Sequence, residues 1–152
     1  MIDPQGGDES ARQHIERLFS TQRINNVSVS ITPLARPTWG EPLNTGWFGI
    51  PGGNGKFAVH AARMPIDHWL NLQQSVYGAD TESFINGAYP ETVEKAQESV
   101  ETGSVSQIPA PVLEIGKEYS VDTQEGRSRA IGAQQGGADT IDIWIAARRQ
   151  QH

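Results

Sequence analysis

Gln124-Glu125-Gly126-Arg127-Ser128-Arg129-Ala130 lies between a short alternating run, Glu118-Tyr119-Ser120-Val121-Asp122, and a helical one, Ala130-Ile131-Gly132-Ala133-Gln134-Gln135, that stops at Gly136-Gly137. A strand feeds a helix there through a glycine turn, and this reading decides the fold. The first N–H groups of a helix lack intrahelical partners and carry the positive end of its dipole, so the turn favours an anion. Helical spacing puts Arg127 on the stripe of Ala130 and Ile131, facing the packed side, and Arg129 about 200° round. Arg129 then pairs with Glu125 at i,i+4 on the surface. An inward Arg127 requires a partner, either a bound anion or an internal acid such as Asp122.

Working outward, Ser10 is placed to cap a helix whose apolar positions are Ala11, Ile15, Leu18 and Phe19. This helix packs on its own domain or on a partner subunit, with its own domain favoured. Val27, Val29 and Ile31 alternate as a half-exposed strand before Pro33. Residues 35–46 form a loop that carries Trp39. The runs 46–50 and 56–61 flank Pro51-Gly52-Gly53-Asn54-Gly55 and predict a β-hairpin. Those glycines are not a Walker loop: Ile50 and Phe57 stand where the pattern needs glycine and serine or threonine.

Pro65 opens a helix over 65–76 with Ile66, Trp69, Leu70 and Leu72 on or near one face. Phe84, Ile85 and Tyr89 predict a short helical turn that packs inward. Pro90 begins a longer helix, with Val93, Ala96, Gln97 and Val100 at helical spacing, that runs to about Thr102 and stops at Gly103. Val112–Ile115 and Tyr119–Val121 form a second hairpin, and Ile141–Ile145 a closing strand. The fold class is therefore α/β (α+β), a small mixed sheet with flanking helices.

A chain of 152 residues holds one sizeable core. Its net charge of −6 argues against coating nucleic acid by bulk electrostatics. DNA contact would need a local basic patch, at Arg127 and Arg129 or at Arg148 and Arg149. Cysteine is absent, which removes disulfides, thiolate metal sites and cysteine nucleophiles. The four histidines show no metal-binding spacing, so no metal ligands are assigned; His60 would line a pocket only if its strand bordered the turn. Residues 1–9 read as an arm with no basic start or apolar run, and no segment has the roughly 18 apolar residues of a membrane span. The cytoplasm is the expected compartment.

The segment 121–130 resembles the glycine-, glutamate- and arginine-rich box of the ParB/sulfiredoxin superfamily. Met64-Pro65-Ile66-Asp67-His68-Trp69-Leu70 is similar to the segment that opens an early helix in ParB-like domains of phage and plasmid proteins. Residues 103–115 resemble the proline-marked approach to the box, and residues 137–145 the closing strand. The likeness covers roughly residues 57–148. It divides the chain into an arm and amphipathic helix, 1–26, and a ParB-like domain, 27–152. Sulfiredoxin chemistry is excluded, because it needs a cysteine in the box. The resemblance implies phosphate or nucleotide binding by Gln124, Gly126, Arg127, Ser128 and Arg129, in a plasmid, phage or DNA-maintenance setting. Glu125 is the catalytic candidate for weak nucleotide hydrolysis or nuclease activity, with nucleotide and magnesium as the implied cofactors. A second reading keeps the fold without catalysis, as a structural or adaptor protein of a virus or mobile element. It would place the chain in a virion, assembled with a protein partner or its own copies through Ile15, Leu18, Phe19 and Trp47.

Overall fold

Ser10 caps the first helix as its spacing from Gln13 dictates. Its hydroxyl accepts from the Gln13 N–H at 3.1 Å, and the Gln13 side chain accepts from the Ser10 N–H at 3.3 Å. The computed structural model describes residues 10–78 and 85–149. Within them the chain runs α1 (Ala11–Thr21), β1 (Arg23–Ile24), β2 (Val27–Ser28), β3 (Thr32–Pro33), α2 (Thr45–Phe48), β4 (Phe57–Pro65) and α3 (Ile66–Tyr77). It continues through α4 (Pro90–Glu101), β5 (Val112–Ile115), β6 (Val121–Glu125), α5 (Arg127–Gln135) and β7 (Thr140–Arg148).

Five strands form a mixed sheet in the order β3-β4-β7-β5-β6. β7 lies at its centre, antiparallel to β4 and parallel to β5. Every residue of β7 from Ile141 to Ala147 is buried, as expected of a strand covered on both faces. Ala11, Ile15 and Leu18 of α1 join that core, and so do Ile66, Trp69 and Leu72 of α3. The amphipathic face of α1 is thus spent within the chain.

β4 and β7 place Arg63 directly opposite Asp142. The guanidinium donates from Nε to Oδ1 at 2.7 Å and from Nη2 to Oδ2 at 3.1 Å, and Thr38 adds its N–H at 2.6 Å and its hydroxyl at 2.7 Å. This cluster ties the 35–46 loop to the centre of the sheet. Burial pushes the Asp142 carboxyl up, but the hydrogen bonds from Arg63 and Thr38 and the Arg63 charge outweigh it, leaving the group below the usual carboxylate range. A lone aspartate among isoleucines was the only sequence signal of this arrangement.

Three local expectations fail. The first hairpin does not form, because Thr45–Phe48 is a four-residue helix closed by Gly49 in the left-handed region. Phe48 meets Phe57 edge-on, with ring centroids 4.8 Å apart, and that contact turns the run into a helical corner. The Val27–Ile31 strand is split into β2 and β3. Asn25 and Asn26, both at positive φ, join β1 to β2, and Val29 and Ile31 enter the core between the short strands. In the segment before α4, Phe84 lies outside the described residues. Ile85 and Asn86 are helical, but Ile85 and Tyr89 face outward instead of packing inward.

Candidate functional site

β6 delivers the chain to Gly126, whose φ of 122° bends it into α5. A side chain could not replace that hydrogen: a Cβ there would stand 2.5 Å from the Pro111 Cβ. Gly132 and Gly136, one turn apart, let α4 cross close over α5. A Cβ on Gly132 would strike the Val93 carbonyl oxygen, and one on Gly136 would lie 2.7 Å from the Gln97 oxygen. The first turn of α5 therefore opens into the space beside α4.

That space is a cleft of about 870 Å³. Its walls come from α4, from the 107–109 segment and from the turn 124–129, so all six predicted turn residues border it. Lys95, Arg127 and Arg129 oppose Glu98 and Glu125 there, which leaves the cleft locally positive in an acidic chain. A cleft of that sign concentrates anions.

The two arginines have exchanged their expected places. Arg129 is the inward one, its side chain 7% exposed and its Nη2 donating to Glu125 Oε1 at 2.6 Å. Arg127 is partly exposed and donates from Nη2 to the Gly87 carbonyl at 2.8 Å. Helical phase misled because α5 has no apolar stripe to count from: Ser128, Arg129, Ala130, Ile131, Gly132 and Ala133 are all buried. The proposed Asp122 partner for Arg127 lies elsewhere, against Gly116.

Ser128 is buried, and its hydroxyl accepts from the Tyr89 N–H at 2.9 Å. With the Arg127 bond to Gly87, this pins residues 87–89 to the first turn of α5. Gln124 donates from Nε2 to the Trp69 carbonyl at 2.9 Å, and its own carbonyl accepts from Gln73 Nε2 at 3.0 Å. Gln73, on α3, was not anticipated from the sequence. One turn from Trp69, it reads there as an ordinary polar helix position, yet it is 1% exposed.

Hydrogen bonding stops short here. Gln73 Oε1, Gln124 Oε1, Arg129 Nε and Trp69 Nε1 are buried without a partner. Three of these four residues, Gln73, Gln124 and Arg129, border the cleft. Buried polar atoms are nearly always satisfied, so several unpartnered ones together single out this wall as the candidate site. His60 takes no part, since its strand is separated from β6 by β7 and β5 and its Nδ1 meets the Ala61 carbonyl. Among the described residues no cluster of three or more histidine, aspartate or glutamate side chains could hold a metal ion. No helix among them is long and apolar enough to cross a membrane.

Comparison with known proteins gives no match to any family model, curated protein or solved structure.

Proposed function

We propose that this chain is a ParB-like domain whose cleft at the start of α5 takes a phosphate-bearing ligand, a nucleotide or a simpler phosphate, in a plasmid, phage or DNA-maintenance role. One observation carries the reading: a buried arginine, Arg129, keeps an unpartnered Nε in the wall of a locally positive cleft at a helix N-terminus. Such a site supplies N–H donors, a favourable dipole and cationic side chains together. Glu125 acts in it as a positioning residue, holding Arg129, and any hydrolysis is secondary to binding.

Calorimetric titration of the full chain with nucleoside triphosphates and with tripolyphosphate, in magnesium, tests it. Saturable binding is expected, weakened at least about tenfold by Arg127→Ala, in line with a charge-assisted hydrogen bond worth about 1.5–3 kcal/mol. Absence of binding, or binding indifferent to that change, would sink the reading.

Assembly is the second reading, favoured by Leu43 and Trp47, which are 70% and 56% exposed. Ile15 and Leu18 are buried against the chain's own sheet. Light scattering on the native chain and on Trp47→Ser would show an oligomer that the substitution dissolves, and a monomer in both cases counts against it.

A further inference from the structure

Trp47 is the most exposed tryptophan among the described residues, and three cations gather round it. Lys56 holds its ammonium 5.2 Å from the centre of the Trp47 ring. Buried Phe57 lies 6.4 Å from that ring, and the Arg148 guanidinium sits over Phe57 at 4.8 Å. Arg149 is tied to the same corner by its N–H, which donates to the Lys56 carbonyl at 2.7 Å, and by its Nε, which donates to the Asn54 carbonyl at 2.9 Å. Asn54 in turn donates from Nδ2 to the Trp47 carbonyl at 3.2 Å. Rings and hydrogen bonds hold these charges in place, so little freedom is left to lose when a partner arrives. Glu114 Oε2 stands 3.9 Å from Arg148 Nε, but Lys56 and Arg149 form no ion pair among the described residues.

The counterpart lies on α4 of the same chain. Glu91, Glu94, Glu98 and Glu101 are all exposed and recur at intervals of three and four, so they share one face of that helix, with Lys95 at its edge. Glu91, Glu94 and Glu98 have no ion-pair partner among the described residues. At the start of the helix Tyr89 is 73% exposed, and Ile85, four residues before it, is exposed as well. The Tyr89 backbone is fixed, its N–H donating to Ser128 Oγ. One surface is therefore an indole among cations, and the other a phenol ring followed by carboxylates. Apolar centres with charges of opposite sign fit each other. A free polyanion would answer the Trp47 corner alone and be repelled by α4, whereas a second copy answers both surfaces at once.

We infer that the corner formed by Trp47, Lys56, Arg148 and Arg149 docks on the α4 face of a second copy of this chain, Trp47 against Tyr89 and the cations against Glu91 and Glu94. The inference rests on the assembly reading and supplies the partner surface for Trp47. Because the two surfaces differ, the contact is heterologous and each copy uses both. The opposed charges also offset the repulsion between copies that each carry a net charge of −6.

Light scattering on the full-length chain at low salt tests it through exchanged charges. Lys56→Glu with Arg149→Glu should leave a monomer, since carboxylates then face carboxylates, and so should Glu91→Lys with Glu94→Lys, which sets cations against cations. Mixed in equal amounts, the two variants should regain the native size, because every junction between unlike copies again joins opposite signs. Raising salt to about 1 M, where the screening length is about 3 Å, should move association of the native chain to a concentration at least about tenfold higher. Tyr89→Ser should dissolve the assembly as Trp47→Ser does, a check on a different element that depends on neither charge variant. A native oligomer that Trp47→Ser dissolves, but that Tyr89→Ser or either charge variant preserves, overturns the inference and leaves assembly through another surface. Charge variants that are monomeric apart and stay monomeric when mixed also overturn it. A native chain that is monomeric at every concentration overturns the inference and the assembly reading together. Circular dichroism on each variant confirms that folding is intact.

Discussion

Two of the arginine–carboxylate pairs in this small protein, Arg63–Asp142 and Arg129–Glu125, are finished to different standards. At the centre of the sheet, Asp142 receives four hydrogen bonds from Arg63 and Thr38, and no buried side-chain atom of the cluster is left unpartnered. At the start of α5, Arg129 holds Glu125 with one nitrogen while its Nε, together with Gln73 Oε1 and Gln124 Oε1, goes without. The buried member also differs, the acid in one pair and the base in the other. A closed polar cluster spends its bonding capacity on the fold, whereas an open one keeps capacity for a ligand.

The largest effect should come from breaking the closed cluster. Asp142→Ala leaves the Thr38 donors and Arg63 without their acceptor and should cost about 3 kcal/mol in urea denaturation, the low end for a broken buried pair because Arg63 is partly in water. A loss below about 1 kcal/mol would show that the cluster is not what holds the 35–46 loop. The open pair should respond in the opposite sense. Replacing it with Glu125→Gln and Arg129→Met together should change stability by no more than about 1 kcal/mol, because apolar isosteres of ion pairs are often neutral, while phosphate binding disappears. A double variant that unfolds, or that still binds, would collapse the distinction between the two clusters.

Acid provides the smallest and most selective probe. The Asp142 carboxyl is held below its usual range in the folded chain. Its contribution is therefore present above the unfolded carboxylate value of about 3.9 and is lost as pH falls through the lower folded value. Stability measured from pH 6 down to pH 2 should fall in that acid window, and Asp142→Asn should flatten that part of the curve. An unchanged curve in the variant would remove Asp142 from the account.

Much of the frame was legible because its signals are local. Ser10 as a helix cap, Pro90 and Gly103 as a start and a stop, and the glycine that turns β6 into α5 each act within a few residues of themselves. Four-residue α2 was not, because the Phe48–Phe57 contact that stabilises it crosses nine positions and leaves no periodic trace. The site was half legible. Its six turn residues all border the cleft, but the inward arginine was misassigned, since a helix buried nearly all round provides no polar side from which to set a phase. Gln73 and Tyr89 come from separate elements, and only the folded chain brings them to one wall.

The crossing of α4 over Gly132 and Gly136 limits how this chain can change length. An insertion of one residue between those glycines would rotate the second by about 100° and lift it off Gln97, prising the helices apart. Just past the helix the close approach ends, since nothing lies within 4 Å of a side chain built on Gly137. The four-residue interval from Gly132 to Gly136 is therefore a fixed length in this chain, set by how closely a second helix lies over it.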